Sequence, residues 1–298
     1  MVLGQDVGVK ALSAMVSGTS SLPLLLEGEE GVGKRTATLE AVHSVGQVTD
    51  QKLQRGGMHP DIHIVSSEGG KEIGIDTMRD VVSKTSLLPS SLPFRFFIVD
   101  GAELLTSAAA NALLKPLEER TGKSRFVLIT TSSQRVIRAL RGRCAKVFFP
   151  LLSDSIVSDR LSLFEKDPIK ASVISKLAGG SVGRAIHLWK MNGLSFRNKV
   201  FDLFQLSVQG DIPRLFEAID ELSKSPDLLV RMVLSIASDL LVPEGARKNS
   251  DLDSELSALA SSLGQDRVNG LWVSLREATL RYESSYIGLP FQLKAALL

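Results

Sequence analysis

One stretch limits the choice of fold more than any other. Leu22–Leu26 is a five-residue apolar run. It leads into Gly28-Glu29-Glu30-Gly31-Val32-Gly33-Lys34, and Lys34–Val45 then continues with helical periodicity. A glycine-rich bend joining a buried strand directly to a helix is a βα unit, and such units pack when the strand lies in a sheet covered by helices. The first half of the chain repeats the pattern. Ile62–Val65, Phe94–Val99, Phe126–Thr130 and Lys146–Phe149 are short apolar runs, continuous rather than alternating, as expected of strands buried on both faces. Ile75–Ser86 and Ser107–Glu119 carry helical patterns between them. The order predicts an α/β fold with a parallel sheet.

After Pro150 the strands stop. Residues 153–192 read as short helices with a turn at Gly179-Gly180-Ser181, and from about 195 the text is all helical. Pro243–Ser254 is polar and reads as a loop, with two or three helices beyond it. The expected layout is an α/β domain over 1–150, a helical lid over 151–194 and an all-α domain over 195–298.

Composition excludes several classes. Aromatics make up 5% of the 298 residues, too few for a base-stacking surface as the main device. The net charge of +2 does not by itself indicate nucleic acid, although residues 196–298 carry 11 basic and 14 acidic side chains and the remainder is net positive. A single cysteine, Cys144, supports neither a disulfide framework nor a thiolate zinc cluster. That fits a reducing cytosol. The start of the chain lacks the pattern of a signal peptide, and no apolar run is long enough to span a membrane. The expected location is cytoplasmic.

The Gly28–Lys34 spacing is the phosphate-loop pattern. Glycines let successive backbone N–H groups face an anion, and the helix N-terminus adds partial positive charge. Gly28, Gly31, Gly33 and Lys34 are therefore the candidate phosphate contacts. The next position should carry a hydroxyl for Mg²⁺, but Arg35 stands there. Thr36 comes one residue late, about 100° around the helix. A fixed positive charge at or beside the metal position compromises metal-assisted hydrolysis. Asp100 ends the apolar run Phe96–Val99, where the acid that organises Mg²⁺ would stand; a turn cap is an equal reading. Gly101 follows in the place of an activating glutamate, and Glu103 lies two positions further on. Glu118 and Glu119 are adjacent and diverge by about 100°, so they cannot flank one substrate atom. His59, alone beside Pro60, reads as a turn residue. There is no motif for a bound metal.

Several stretches in order resemble the AAA+ clamp loaders of bacterial DNA polymerase III, the delta-prime subunits best. They are Val2-Leu3-Gly4-Gln5, Gly57-Met58-His59-Pro60-Asp61, Ile75-Asp76 with Met78-Arg79, Val99–Leu105 running into Ala108–Glu119, Arg141-Gly142-Arg143-Cys144, and Gly180-Ser181-Val182-Gly183-Arg184-Ala185. The resemblance covers residues 2–190; the C-terminal helices match only in kind. Departures are Gly142 where the family has serine, Pro116 inside a helix, Arg120 in place of a proline, and the absence of the four-cysteine zinc module, for which residues 46–57 leave no room. They point to a divergent bacterial lineage or a viral relative.

The resemblance implies roles for single residues. Arg143 would project toward a neighbouring subunit's ATP as a trans arginine finger; its spacing alone reads as a surface arginine at the domain edge. Arg184 would face the chain's own phosphate site from the lid, or make a salt bridge between domains. Thr131 falls where a polar sensor near the γ-phosphate stands. Lys115 shares a helix face with Asn111 and would follow the DNA backbone, against the plainer reading of a solvated face. ATP is the cofactor the resemblance names, with Mg²⁺ disfavoured by Arg35 and no zinc. The implied partners are other clamp-loader subunits in a hetero-oligomeric ring, a pentamer in the family, together with a sliding clamp and primer–template DNA. Two other readings stand beside this one. One is an active clamp-loader ATPase using Lys34, Asp100 and Glu103. The other is a non-replicative AAA+ remodelling or helicase-loading protein forming homo-oligomers.

Overall fold

A computed structural model describes residues 4–46, 59–67, 69–119, 122–284 and 288–298. Val2, Leu3, Gly57, Met58, Arg120 and most of the segment read as too short for a zinc module lie outside the described residues. The chain divides into two compact units, Met1–Ile156 with Gly180–Gly183, and Val157–Gly179 with Arg184–Leu298.

The first unit is built on five parallel strands, β1 (Leu24–Glu27), β2 (Ile62–Ser66), β3 (Arg95–Asp100), β4 (Ser124–Thr130) and β5 (Ala145–Phe148), in the order β2-β3-β4-β1-β5. Each expected strand is found, shifted by two residues or fewer at either end. The central strands are buried along nearly their whole length. Their apolar runs serve two cores, because alternate side chains leave opposite faces. Leu24, Leu26, Phe96, Ile98, Val127 and Ile129 pack with Leu12 and Met15 of α1 (Asp6–Val16) and Val42 of α2 (Lys34–Gly46). Leu25, Phe97, Val99, Phe126 and Leu128 pack with Met78 and Val81 of α3 (Ile75–Thr85), Leu113 and Leu117 of α4 (Ser107–Glu118), and Leu140 of α5 (Arg138–Arg141).

Burial on both faces fails as a description of β2 and β5. These are the sheet edges, where one flank has no neighbouring strand among the described residues. Lys146 is exposed and Phe148 is 59% exposed. Pro116 falls in the last turn of α4. The helix stops two residues later, and the Glu119 N–H donates to the Lys115 carbonyl at 3.1 Å. A missing N–H costs little so close to a helix end.

The second unit is helical: α6 (Asp154–Leu161, whose first residues belong to the first unit), α7 (Pro168–Ala178), α8 (Val182–Lys190, whose first two residues likewise belong to the first unit), α9 (Gly193–Gln209), α10 (Ile212–Leu222), α11 (Pro226–Asp239), α12 (Asp253–Leu263), α13 (Gln265–Ser284) and α14 (Leu289–Leu297). Prolines open α7, α10, α11 and α14, where the absent N–H has no intrahelical acceptor to lose. The loop read over Pro243–Ser254 is shorter than expected, because a 3₁₀ turn at Ser250–Leu252 runs straight into α12. A buried polar network holds this segment. The Arg197 guanidinium, 1% exposed, donates to both Asp251 oxygens at 2.7 and 2.6 Å and to Asn249 Oδ1 at 3.2 Å. Asp239 accepts from the backbone N–H groups of Lys248 and Asn249. Among the described residues no helix is long and apolar enough to cross a membrane.

Candidate functional site

The carboxyl ends of β1, β3 and β4 gather Gly28, Gly31, Gly33, Lys34, Arg35, Asp100 and Thr131, as the topology of an open α/β sheet favours, whereas Lys115, Arg143 and Arg184 lie elsewhere. β1 ends at Glu27, residues 28–33 turn, and α2 starts at Lys34. Gly31 (φ 77°) and Gly33 (φ 101°) take left-handed conformations that a side chain would strain. The Lys34 ammonium curls back into the loop, donating to the carbonyls of Gly28 at 2.5 Å and Glu29 at 2.8 Å. It is 6% exposed, and burial lowers its pKa against the opposing pull of Asp100, Glu103, Glu29 and Glu30.

Three contacts within the first unit brace this loop. Gln5, 2% exposed, donates from Nε2 to the carbonyls of Val32 (3.1 Å) and Pro150 (2.9 Å). Ser181 Oγ donates to the Glu30 carbonyl at 2.8 Å, and the Gly183 N–H to the Gly31 carbonyl at 2.9 Å. The resemblance makes residues 180–185 the sensor helix of the lid, with Arg184 alone facing the phosphates. It did not anticipate that Ser181 and Gly183 hold the loop itself.

Beside the loop, β3 delivers Asp100 and β4 delivers Thr131. Arg35 Nη1 lies 3.3 Å from Asp100 Oδ2, with the arginine half-exposed. The Asp100 side chain is thereby engaged in an ion pair, and the following 3₁₀ turn has Gly101 at its N-cap without a side-chain cap. Glu103 Oε1 accepts from the Thr131 N–H at 3.1 Å and from Thr131 Oγ1 at 2.7 Å. Burial alone would raise the Glu103 carboxyl, but the Thr131 hydrogen bonds hold it below its ordinary value. Its other oxygen, Oε2, is buried and accepts no hydrogen bond from the described residues. Thr36 is exposed on α2. The position where a hydroxyl would meet the acid therefore holds a guanidinium paired with Asp100. Mg²⁺ does not fit while Arg35 holds Asp100. A phosphate would have to draw Lys34 out of the loop carbonyls.

Arg143 lies between α5 and β5, a third exposed. It is ion-paired with Glu118 of α4, its Nε at 2.6 Å from Glu118 Oε1, and its Nη1 donates to the Ala139 carbonyl at 2.9 Å. Asn111 and Lys115 are exposed on α4, and Lys115 makes a loose 3.7 Å pair with Glu119. Arg184 belongs to the second unit, where its Nη1 donates to the Ala178 carbonyl at 2.9 Å. His59 is a turn residue as read, its Nδ1 accepting the Asp61 N–H at 3.1 Å. Asp61, fully buried, was noticed only as part of a resemblance. Its carboxylate accepts the N–H groups of Ser90, Ser91 and Leu92 and so shapes the loop before β3. No group of three or more metal-ligating side chains occurs among the described residues.

A parallel five-stranded sheet with a phosphate-loop turn after β1, followed by a helical region, defines the AAA+ class of fold. The same fold is found in a DNA polymerase III gamma subunit-related protein of Thermotoga maritima, with a TM-score of 0.53 at 16% identity over 97% of each chain. A sequence profile described as DNA polymerase III, delta subunit, matches residues 5–153, half of the chain. The chain belongs to that family. It is 28% identical to the DNA polymerase III subunit delta' of Escherichia coli over 76% of this chain and 70% of that one. It is 29% identical to the subunit delta' of Bacillus subtilis over 61% of this chain and 58% of that one. The replication factor C small subunit of Methanosarcina mazei is 31% identical over 56% of this chain and 47% of the relative. The last two matches span less than two thirds of the relatives' length.

Proposed function

We propose that the chain is a delta-prime-like clamp-loader subunit that works with ATPase neighbours in a cytoplasmic hetero-oligomer and helps place a sliding clamp on primed DNA. Its own site does little or no hydrolysis, and Arg143 acts in trans on a neighbour's nucleotide. The observation that carries this reading is the Arg35–Asp100 pair. It leaves the acid needed for a metal tied to a guanidinium, so the energy of loading comes from other subunits. Arg143 suits the finger role chemically, because a guanidinium stabilises charge on a transferring phosphoryl group and this one, a third exposed and paired with Glu118, can exchange that carboxylate for a stronger anion. Family membership supports the partners: two of the relatives named above are subunits of DNA polymerase III and the third of replication factor C.

The test is ATP hydrolysis by the chain alone, then reconstituted with a gamma- or tau-type ATPase subunit, a clamp and primed DNA. The expected result is no turnover alone and turnover in the complex that falls about 10³-fold with Arg143→Ala, the lower end for losing such a finger. An unchanged rate in the Arg143→Ala complex overturns the finger. Turnover by the isolated chain that Lys34→Ala abolishes makes it an active ATPase instead.

A further inference from the structure

Phosphate-loop sites carry a divalent cation between a hydroxyl on the first helical turn and an acid at the end of a neighbouring strand. Here the acid at the end of the neighbouring strand is present. Asp100 closes β3, and Glu103 stands three residues on with Oε2 buried and accepting nothing among the described residues. The acid of this arrangement already has a cation beside it: Arg35 Nη1 lies 3.3 Å from Asp100 Oδ2.

We propose that Arg35 is the specificity-determining side chain that excludes Mg²⁺ from this site, and that the remaining cation-binding arrangement is intact. Arg35→Thr then converts the loop into a Mg²⁺-dependent nucleotide site. The substitution restores a hydroxyl directly after Lys34, on the side of α2 from which position 35 already reaches Asp100. It also releases Asp100, the acid that a cation would take. The fold tolerates the change: the pair is half-exposed on its arginine side, and threonine is an ordinary residue in a first helical turn. This inference rests on reading residues 28–34 as a phosphate loop and is independent of the finger role of Arg143.

The experiment measures ATP binding to the full chain by equilibrium dialysis, in Mg²⁺ and in EDTA. It compares the natural sequence, Arg35→Thr, and Arg35→Thr with Asp100→Asn; Arg35→Ser is the second variant should threonine disturb folding. Far-UV circular dichroism confirms that each is folded. Mn²⁺ binding followed by electron paramagnetic resonance reads the cation directly. The expected result is binding to the natural chain that changes by less than about twofold between the two media. Arg35→Thr should bind at least about tenfold more tightly in Mg²⁺, and the double variant should lose that gain. Tenfold Mg²⁺ dependence in the natural chain, no gain in a folded Arg35→Thr, or a gain that survives Asp100→Asn each overturns the proposal. None of these results touches the Arg143 assay of the reconstituted complex, so the two readings fail separately.

Discussion

Replacing Asp61 by asparagine should unfold the first unit far more easily than its position in a surface turn suggests. Asp61 Oδ1 accepts the Ser90 N–H at 2.7 Å. Oδ2 accepts those of Ser91 at 2.7 Å and Leu92 at 3.0 Å, together with Ser91 Oγ at 3.2 Å. Arg95 Nη2 lies 3.5 Å from Oδ1, and both side chains are buried. Asparagine offers one acceptor oxygen and turns an amide N–H₂ toward backbone donors. Water can reach Ser90 and Ser91, which are exposed, but Leu92 is buried and its N–H would lose about 1–3 kcal/mol. Arg95 would lose its carboxylate; about 3–5 kcal/mol is the range for breaking a buried pair, and 3.5 Å with a second bond to the Leu88 carbonyl puts it at or below the low end. About 3–4 kcal/mol in total is a large share of a domain's ordinary stability.

The assay for Asp61→Asn is urea denaturation followed by two probes. Both tryptophans, Trp189 and Trp272, lie in the second unit, whereas far-UV circular dichroism sees both units. The expected result is an early phase in circular dichroism that tryptophan fluorescence misses. The pH dependence has a fixed sign. Burial raises the Asp61 carboxyl, but the N–H groups of Ser90, Leu92 and Ser91 outweigh it and hold the pKa below its ordinary value. Its contribution is therefore complete above about pH 4 and fades as pH falls through the lower folded pKa, so the difference between the two proteins should shrink in acid. A change under about 1 kcal/mol at neutral pH, the ordinary size for a surface substitution or less, would refute this account.

Thr106→Ala removes the N-cap of α4, where Thr106 Oγ1 accepts the Ala109 N–H at 3.2 Å; the expected cost is about 1 kcal/mol in the same denaturation, seen by circular dichroism. Arg197→Met breaks the buried fork to Asp251 in the second unit and should cost about 2–3 kcal/mol, discounted because Asp251 is a quarter exposed, with the tryptophan-detected transition moving. Burial would raise the Asp251 carboxyl, yet the Arg197 bonds lower it, so this loss too should diminish below about pH 4.

What the sequence announced was local. The apolar runs, the glycine turn and the start of α2 are each written within a few consecutive residues, so periodicity and spacing were enough to place β1, the turn after it and the other four strands. The partners of the site residues are a different matter. Arg35 and Asp100 are 65 residues apart, Ser181 and Glu30 are 151 apart, and Gln5 reaches Pro150 over 145. The sheet order β2-β3-β4-β1-β5 brings the ends of β1 and β3 to one edge and so Arg35 to Asp100, and chain returning after β5 supplies Pro150 and Ser181; a pattern of hydrophobicity along one strand does not state its neighbour. Position 35 could therefore be read as a missing hydroxyl, whereas its bond to Asp100 required the fold. α1 escaped notice for another reason: of its four buried positions the first is Gly8, a weak helix former, which leaves only Leu12, Met15 and Val16 to mark the apolar face.

Gly101 bears on the history of the site. It follows Asp100 with φ 91° and ψ 50°, its carbonyl accepts the Leu104 N–H at 2.9 Å, and a β-carbon there would meet the Leu104 side chain at 3.2 Å. A glutamate at 101 would have to hold this left-handed backbone at a cost of about 1–2 kcal/mol. The two departures at the site are thus unequal in their reversibility. A lineage can exchange Arg35 and back again with little consequence for folding. Once the turn after β3 has settled around a glycine, a glutamate returning there meets a backbone shaped without it. A glutamate at 101 therefore comes only with a strained turn after β3, whereas position 35 carries no such left-handed backbone.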